Sequence, residues 1–182
     1  MLDTTDDRAL AALAAAGDRP AFARLVDRHY DRIFAFSWRL MRTRAEAEDL
    51  AQDVCVTLAR RIGSYRGEAA FTTWLYRLVL NAARDRARAG AARARAHDGF
   101  AEVDALRRGG AEARQREAEW LREAIAGLPE EMRETAVLVL DEGLTHEQAA
   151  AVLEVAPSTV SWRLMEMRKT LRRLAETAGG PG

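Results

Sequence analysis

Arg77, Asn81, Arg84, Asp85 and Arg88 recur at i, i+4, i+7, i+8 and i+11, a spacing that gathers side chains on one side of a helix. Residues 71–96 carry six arginines against the single acid Asp85. Guanidinium forks grip phosphate oxygens, while an amide and a carboxylate among them can hydrogen-bond the edge of an exposed base. Tyr65, Trp74 and Tyr76 stand close in sequence and offer ring faces on which unpaired bases could stack. For Trp74, core packing is the favoured reading over stacking. A second group has the opposite sign: Glu46, Glu48, Asp49 and Asp53 surround Gln52 within eight residues. Acids early in a helix complement its dipole, but this density also suits a protein partner with a basic surface. A third group, Thr145, Ser158, Thr159, Ser161, Trp162 and Arg163, supplies short donors, one large ring and one cation. All of this is chemistry of binding rather than of bond breaking.

Positioning these groups requires helices, and the pattern supplies them. Alanine, leucine, arginine and glutamate dominate, with no alternating β-branched run, so the chain reads as all-α. Leu10, Leu13 and Ala14 mark a first helix ended by Gly17, and Asp18-Arg19-Pro20 opens a second. That second helix buries Phe22, Leu25, Val26, His29 or Tyr30, Ile33, Phe34, Ser37 and Leu40. Thr43-Arg44-Ala45-Glu46 has capping-box spacing and starts a helix with Ala47, Leu50, Ala51, Val54 and Leu58 inward. After a loop over 62–68, Phe71, Trp74, Leu75, Leu78, Val79 and Ala82 form the apolar stripe of a fourth. Residues 1–90 read as one helical domain. Gly90, Gly99, Gly109 and Gly110 interrupt an Ala/Arg-rich stretch, so 91–113 read as a flexible linker.

A second domain is expected over 114–178, before a Gly179-Gly180-Pro181-Gly182 tail. Trp120, Leu121, Ile125 and Leu128 mark one of its helices; Met132, Ala136, Val137 and Leu140 mark the next, begun by Pro129. Thr145-His146-Glu147-Gln148 repeats the capping-box spacing ahead of a short alanine-rich helix. A three-residue break leads to a longer helix whose Val160, Leu164, Met167, Leu171 and Leu174 face inward. Two helices joined in this way fit a helix-turn-helix; Ser158, Thr159, Ser161, Trp162 and Arg163 fall on the outward N-terminal turns of its second helix, and Thr145 opens its first.

The bulk charge hides these faces. The 182 residues hold 28 cations and 28 acids. Yet residues 119–154 carry nine acids against two arginines, and 155–178 carry five cations against Glu166 and Glu176. Residues 1–90 sum to three positive charges, from 15 cations and 12 acids. No apolar run approaches the ~18 residues of a membrane span, and the acidic opening lacks a signal peptide's basic start, so a soluble cytoplasmic protein is expected. The single cysteine, Cys55, allows no internal disulfide and reads as a small packed hydrophobe. With three histidines no metal cluster is expected; His29 and His97 have no partner ligands in sequence, and His146-Glu147 lacks the second histidine of a zinc motif because Ala150 stands there. No nucleophile elbow, phosphate loop or catalytic carboxylate pair is found, so no enzyme activity and no cofactor are expected.

The segment Ala47-Glu48-Asp49-Leu50-Ala51-Gln52-Asp53-Val54, the Tyr65-Arg66-Gly67 loop and the stretch from Phe71-Thr72-Thr73-Trp74 to Asn81-Ala82-Ala83-Arg84-Asp85 resemble the core-binding and promoter-melting segments of bacterial sigma factors. Leu128-Pro129-Glu130-Glu131-Met132-Arg133, Gln148-Ala149-Ala150 and Pro157-Ser158-Thr159-Val160-Ser161-Trp162-Arg163-Leu164 resemble their fourth region. Two such domains and a linker are similar to the extracytoplasmic-function (ECF) group. By matching position, the resemblance implies that Glu48, Asp49, Gln52 and Asp53 bind the β′ clamp of core RNA polymerase, which also offers its β subunit. It implies that Ser64, Tyr65, Arg66, Arg77, Asn81, Arg84, Asp85 and Arg88 capture a flipped base and phosphates of the −10 element. Thr145, Ser158, Thr159, Ser161, Trp162 and Arg163 would read the −35 duplex. The linker would thread toward the active-site channel, and an anti-sigma factor would clamp between the domains.

Three residues depart from the family pattern. Glu154 stands where the turn commonly has glycine, removing the residue that adopts positive φ most easily. Trp162 and Glu166 occupy places often taken by cations, so fewer phosphate contacts are expected there. Two other readings compete with the active factor: a sigma-like decoy that titrates an anti-sigma factor, and a plain helix-turn-helix regulator. The decoy would not need the melting-face arginines or the clamp-binding acids. The regulator would leave the first domain's charged faces unexplained.

Overall fold

The computed structural model describes residues 6–41, 43–96, 120, 124–125 and 127–177, and among these it is helical without strands. The chain divides into two compact units, Met1–Ala92 with Ala151–Glu154 and Arg93–Ala150 with Val155–Gly182. In the first, α1 (Asp7–Ala15) stops at Gly17, whose φ of +96° suits a residue without Cβ. Asp18 then caps α2 (Arg19–Leu40), its carboxylate accepting from the Ala21 amide at 2.9 Å, with Pro20 in the first turn. The capping box at the start of α3 (Arg44–Arg61) is complete: the Thr43 amide donates to Glu46 Oε2 at 3.0 Å and the Glu46 amide to Thr43 Oγ1 at 3.2 Å. A 3₁₀ turn (Ile62–Ser64) and a loop lead into α4 (Phe71–Ala96).

Leu10, Leu25, Ile33, Phe36, Leu50, Val54, Leu58, Leu75 and Val79 fill this core with almost no surface left to water. Burying each such side chain contributes about 1.5–3 kcal/mol. Several details differ from the sequence expectation. On α1 the inward face is Leu10, Ala11 and Ala14, and Leu13 points to solvent. His29, not Tyr30, is the buried member of its pair, and Phe36 joins the core. Tyr76 is 5% exposed and meets Phe36 edge-on at 4.9 Å, so it offers no stacking surface. Helix α4 continues through Gly90 to Ala96, because one glycine costs only about 1 kcal/mol in a helix interior. The remainder of the expected linker, 97–113, lies outside the described residues, as do His97, Leu121 and the glycine-rich tail.

In the second unit Pro129 precedes α5 (Glu130–Ala136), which passes into a π-helical turn (Val137–Asp141). The wider turn shows in the Glu142 amide donating to the Val137 carbonyl at 2.9 Å. It rotates later side chains off the inward stripe, which is why Leu140 is exposed although the spacing placed it inward. Helices α6 (His146–Leu153) and α7 (Pro157–Thr177) form the helix-turn-helix. Ala149, Ala150, Val152 and Leu153 are buried on α6, and Val160, Leu164 and Met167 on α7. No helix among the described residues is long and apolar enough to cross a membrane.

Candidate nucleic-acid and polymerase interfaces

The inward stripe of α3 decides where its acids go. With Ala47, Leu50, Ala51, Val54 and Leu58 against the core, Asp49, Gln52 and Asp53 stand in solvent, and Glu48 is half-buried. Glu48 accepts from Arg44 Nε at 2.7 Å within the same helix. Asp53 is held from outside it: Arg86 of α4 donates to Asp53 Oδ2 through Nε at 2.9 Å and through its terminal nitrogen at 2.6 Å, and lies 3.9 Å from Asp49. Sequence reasoning missed Arg86, because nothing local couples residues 33 positions apart. All partners remain partly exposed, so the pair is worth at most about 1 kcal/mol and yields readily to a stronger basic surface. Cys55, on the same helix, is half-buried, and burial pushes its thiol up, away from the reactive thiolate form.

On α4 the core stripe of Phe71, Leu75, Leu78 and Val79 leaves Asn81, Asp85 and Arg88 exposed, with Arg77 and Arg84 half-buried alongside. Arg88 pairs with Asp85. The loop ahead of α4 belongs to the same surface. Ser64 and Arg66 are exposed, and the Ser64 hydroxyl donates to the Arg61 carbonyl at 2.7 Å. Tyr65 is fixed from both ends: its hydroxyl donates to the Ala69 carbonyl at 2.8 Å, and its ring meets Phe71 edge-on at 5.4 Å and Trp74 at 5.5 Å. Burial raises its hydroxyl's pKa, with the cation of Arg8 pulling the other way. Trp74 is half-buried in this cluster, between the two roles considered for it. The structure thus gathers loop aromatics and helix cations on one unit, as their spacing suggested.

The helix-turn-helix also has its cap. The Thr145 amide donates to Gln148 Oε1 at 2.9 Å and the Gln148 amide to Thr145 Oγ1 at 3.2 Å. Glu147 sits in the first turn, where its own amide and the Thr145 hydroxyl hold its carboxyl below the usual range. Glu154 adopts φ of +58°, and the Val155 amide closes the helix end on the Ala150 carbonyl at 3.1 Å. On α7, Ser158, Ser161 and Trp162 are exposed, Trp162 at 53% with Met165 beside it; Thr159 is half-buried. Ser161 Oγ donates to the Pro157 carbonyl at 3.2 Å and lies within hydrogen-bond distance of His146 Nδ1, at 2.9 Å. Arg163 corrects the expectation of an outward cation: its side chain is 13% exposed and its guanidinium lies 3.7 Å from Glu131. The Glu131 carboxylate of α5 offers the guanidinium a partner on a neighbouring helix.

Residues 25–93 match the family described as Sigma-70 region 2, and residues 118–171 match Sigma-70, region 4. The chain is 35% identical over 168 residues to the ECF RNA polymerase sigma factor SigM of Mycobacterium tuberculosis, covering 92% of this chain and 84% of that protein. This chain belongs to the ECF sigma factors. The RNA polymerase sigma-H factor of Pseudomonas aeruginosa is 30% identical to this sigma factor, with 94% of each chain covered. A solved structure of CnrH in complex with the cytosolic domain of CnrY is similar at a TM-score of 0.68 and 27% identity, over 94% of this chain and 97% of that one. The acids of α3 and the face of α4 lie within the region 2 match, and α6 with α7 as far as residue 171 within the region 4 match.

Proposed function

We propose that this sigma factor binds core RNA polymerase through Glu48, Asp49, Gln52 and Asp53 and directs it to promoters that its two units read differently. The α3 acids meet a basic surface of the β′ clamp, and Arg86 gives way to it. The loop residues Ser64, Tyr65 and Arg66, with Arg77, Asn81, Arg84, Asp85 and Arg88, take the −10 non-template strand, cations on phosphate and aromatic rings against an extruded base. Extrusion costs a few kcal/mol, and capture offsets it, so recognition and melting are one event. Ser158, Ser161 and Trp162, with Thr145 and Thr159, read the −35 duplex in the major groove. The factor makes and breaks no bond itself, needs no cofactor, and works in the cytoplasm.

One observation carries the reading. Neighbouring helices of one unit present faces of opposite sign, acids on α3 and arginines with an amide on α4, and that combination suits a protein that must hold polymerase and DNA together. Regulation by an anti-sigma factor is proposed from the family resemblance, and it accords with CnrH having been captured with the cytosolic domain of a second protein. Run-off transcription with core polymerase on a genomic promoter library tests the proposal. Start sites that depend on the added protein are expected. A profile identical to that of core polymerase alone would refute it.

A further inference from the structure

The loop expected to take the extruded base is only half of a cavity. A cleft of about 400 Å³ is lined by Tyr65, Gly67, Glu68 and Phe71 on one side and by Asp6, Asp7 and Arg8 on the other. That volume falls in the range of about 300–1,000 Å³ typical of sites that enclose small ligands. The first turn of α1 therefore forms one wall, and its placement is enforced. Asp7 accepts from Arg28 at 2.7 Å through Oδ1 and from His29 Nε2 at 2.9 Å through Oδ2. His29 is buried, its ring 5.2 Å from that of Phe71, and its Nδ1 faces Arg32 at 3.5 Å. Next to this latch, the exposed Arg8 side chain lies across Gly67. A Cβ added at Gly67 would stand 2.7 Å from Arg8 Nε and 3.1 Å from Cζ, and the glycine's φ of +70° brings the backbone to this approach.

We propose that Arg8 is a base-specifying residue of the −10 site, its planar guanidinium donating to the acceptor edge of the captured base. The inference rests on the base-capture reading above and adds to it a residue outside the loop and outside α4. The electrostatics require such a group. Asp6 and Glu68 are exposed at the cleft, and two carboxylates would repel an incoming phosphodiester. Asp7 is already engaged by Arg28 and His29, which leaves Arg8 as the cation among the residues lining the cleft. A guanidinium is donor-only, so it favours bases that present acceptors and disfavours those that present an amine at the same edge. Its rigid fork makes that preference stronger than a lysine ammonium would give.

The test uses holoenzyme assembled from core polymerase and the full chain. Fork-junction DNA, with an unpaired non-template −10 segment randomised at six positions, is captured and sequenced. The wild-type protein is expected to enrich one base strongly at one position. Arg8→Ala should cut that enrichment about tenfold while leaving the other positions and −35 duplex binding unchanged, and Arg8→Lys should fall between. Unchanged thermal unfolding of both variants keeps folding out of the comparison. Equal enrichment for wild type and Arg8→Ala at every position, or a uniform loss across all six, would overturn the role of Arg8 while sparing base capture. No enrichment by the wild-type protein would overturn both.

Discussion

Where α4 spreads Asn81, Asp85 and Arg88 along a face open to water, α7 turns Trp162 and Met165 outward and draws Arg163 back to Glu131. Both helices are expected to meet promoter DNA, yet they would do so with different forces. A cationic face binds the phosphate chain tightly, with little regard to sequence and with strong dependence on salt. A ring and a thioether bring little charge; they discriminate through apolar contact with thymine methyls and through shape. On the proposed reading, phosphate-driven affinity would come mainly from the face of α4, and discrimination at the −35 duplex from α7. The acids of α3 would add a third chemistry, one that disfavours DNA, so that one unit could hold polymerase and a strand on different faces.

The sharpest break in that comparison is a reversal of sign on α3. Asp49→Arg with Asp53→Arg should lower affinity for core polymerase by at least about 100-fold, since like charges across an interface cost several kcal/mol. Fluorescence anisotropy with labelled factor measures it, and the free protein should lose no more than about 1 kcal/mol from the Arg86 pair. On the DNA side, Asn81→Ala with Arg88→Ala should reduce open-complex formation about tenfold and lower the salt slope of single-strand binding by about 0.7 for the one cation removed. Trp162→Ala should weaken preference for the cognate −35 duplex about five- to tenfold without changing the salt slope. Arg163→Ala should leave that preference nearly intact, in contrast to what an outward cation would give. An equal loss for both would return Arg163 to the DNA face.

Smaller effects test the frames behind these faces. Glu154→Gly should stabilise the helix-turn-helix by about 1 kcal/mol, because a non-glycine residue at φ of +58° is strained and glycine is not; hydrogen exchange reads it helix by helix. In the first unit, burial is the main cause lowering the His29 pKa, and Asp7 only partly opposes it. The unfolded chain therefore binds the proton more readily than the folded one. This contribution is present above the ordinary histidine value of about 6.5 and is lost as pH falls through it toward the lower folded value. Exchange protection of α1 and α2 should drop over that acidic window, and His29→Gln should flatten the dependence.

Local signals made much of this legible. Both capping boxes, the Asp18 cap and the inward stripes of α3 and α7 follow from residue type and spacing alone, whereas the strained turn at Glu154 was legible only through the family pattern. The resemblance in turn gathered the loop, α3 and α4 into one working unit. What escaped depends on partners distant in sequence or on small shifts of phase. Arg86 reaches Asp53 because two helices pack, and Arg163 turns inward because Glu131 waits on another helix. Leu140 leaves the core through one π-helical turn, and α4 passes Gly90 since a single glycine is too weak a breaker. Asp7 and Arg8 carry no local signal in sequence, because only the packing of α1 brings them to the loop.

The central claim is that polymerase binding and promoter melting reside on separate faces of the first unit. Its most direct measurement is melting of a promoter carrying 2-aminopurine in the −10 element, followed with saturating holoenzyme. With the Asn81→Ala, Arg88→Ala variant, core binding should be normal and the fluorescence rise about tenfold slower. Normal melting by this variant, or loss of core binding with it, would contradict the account.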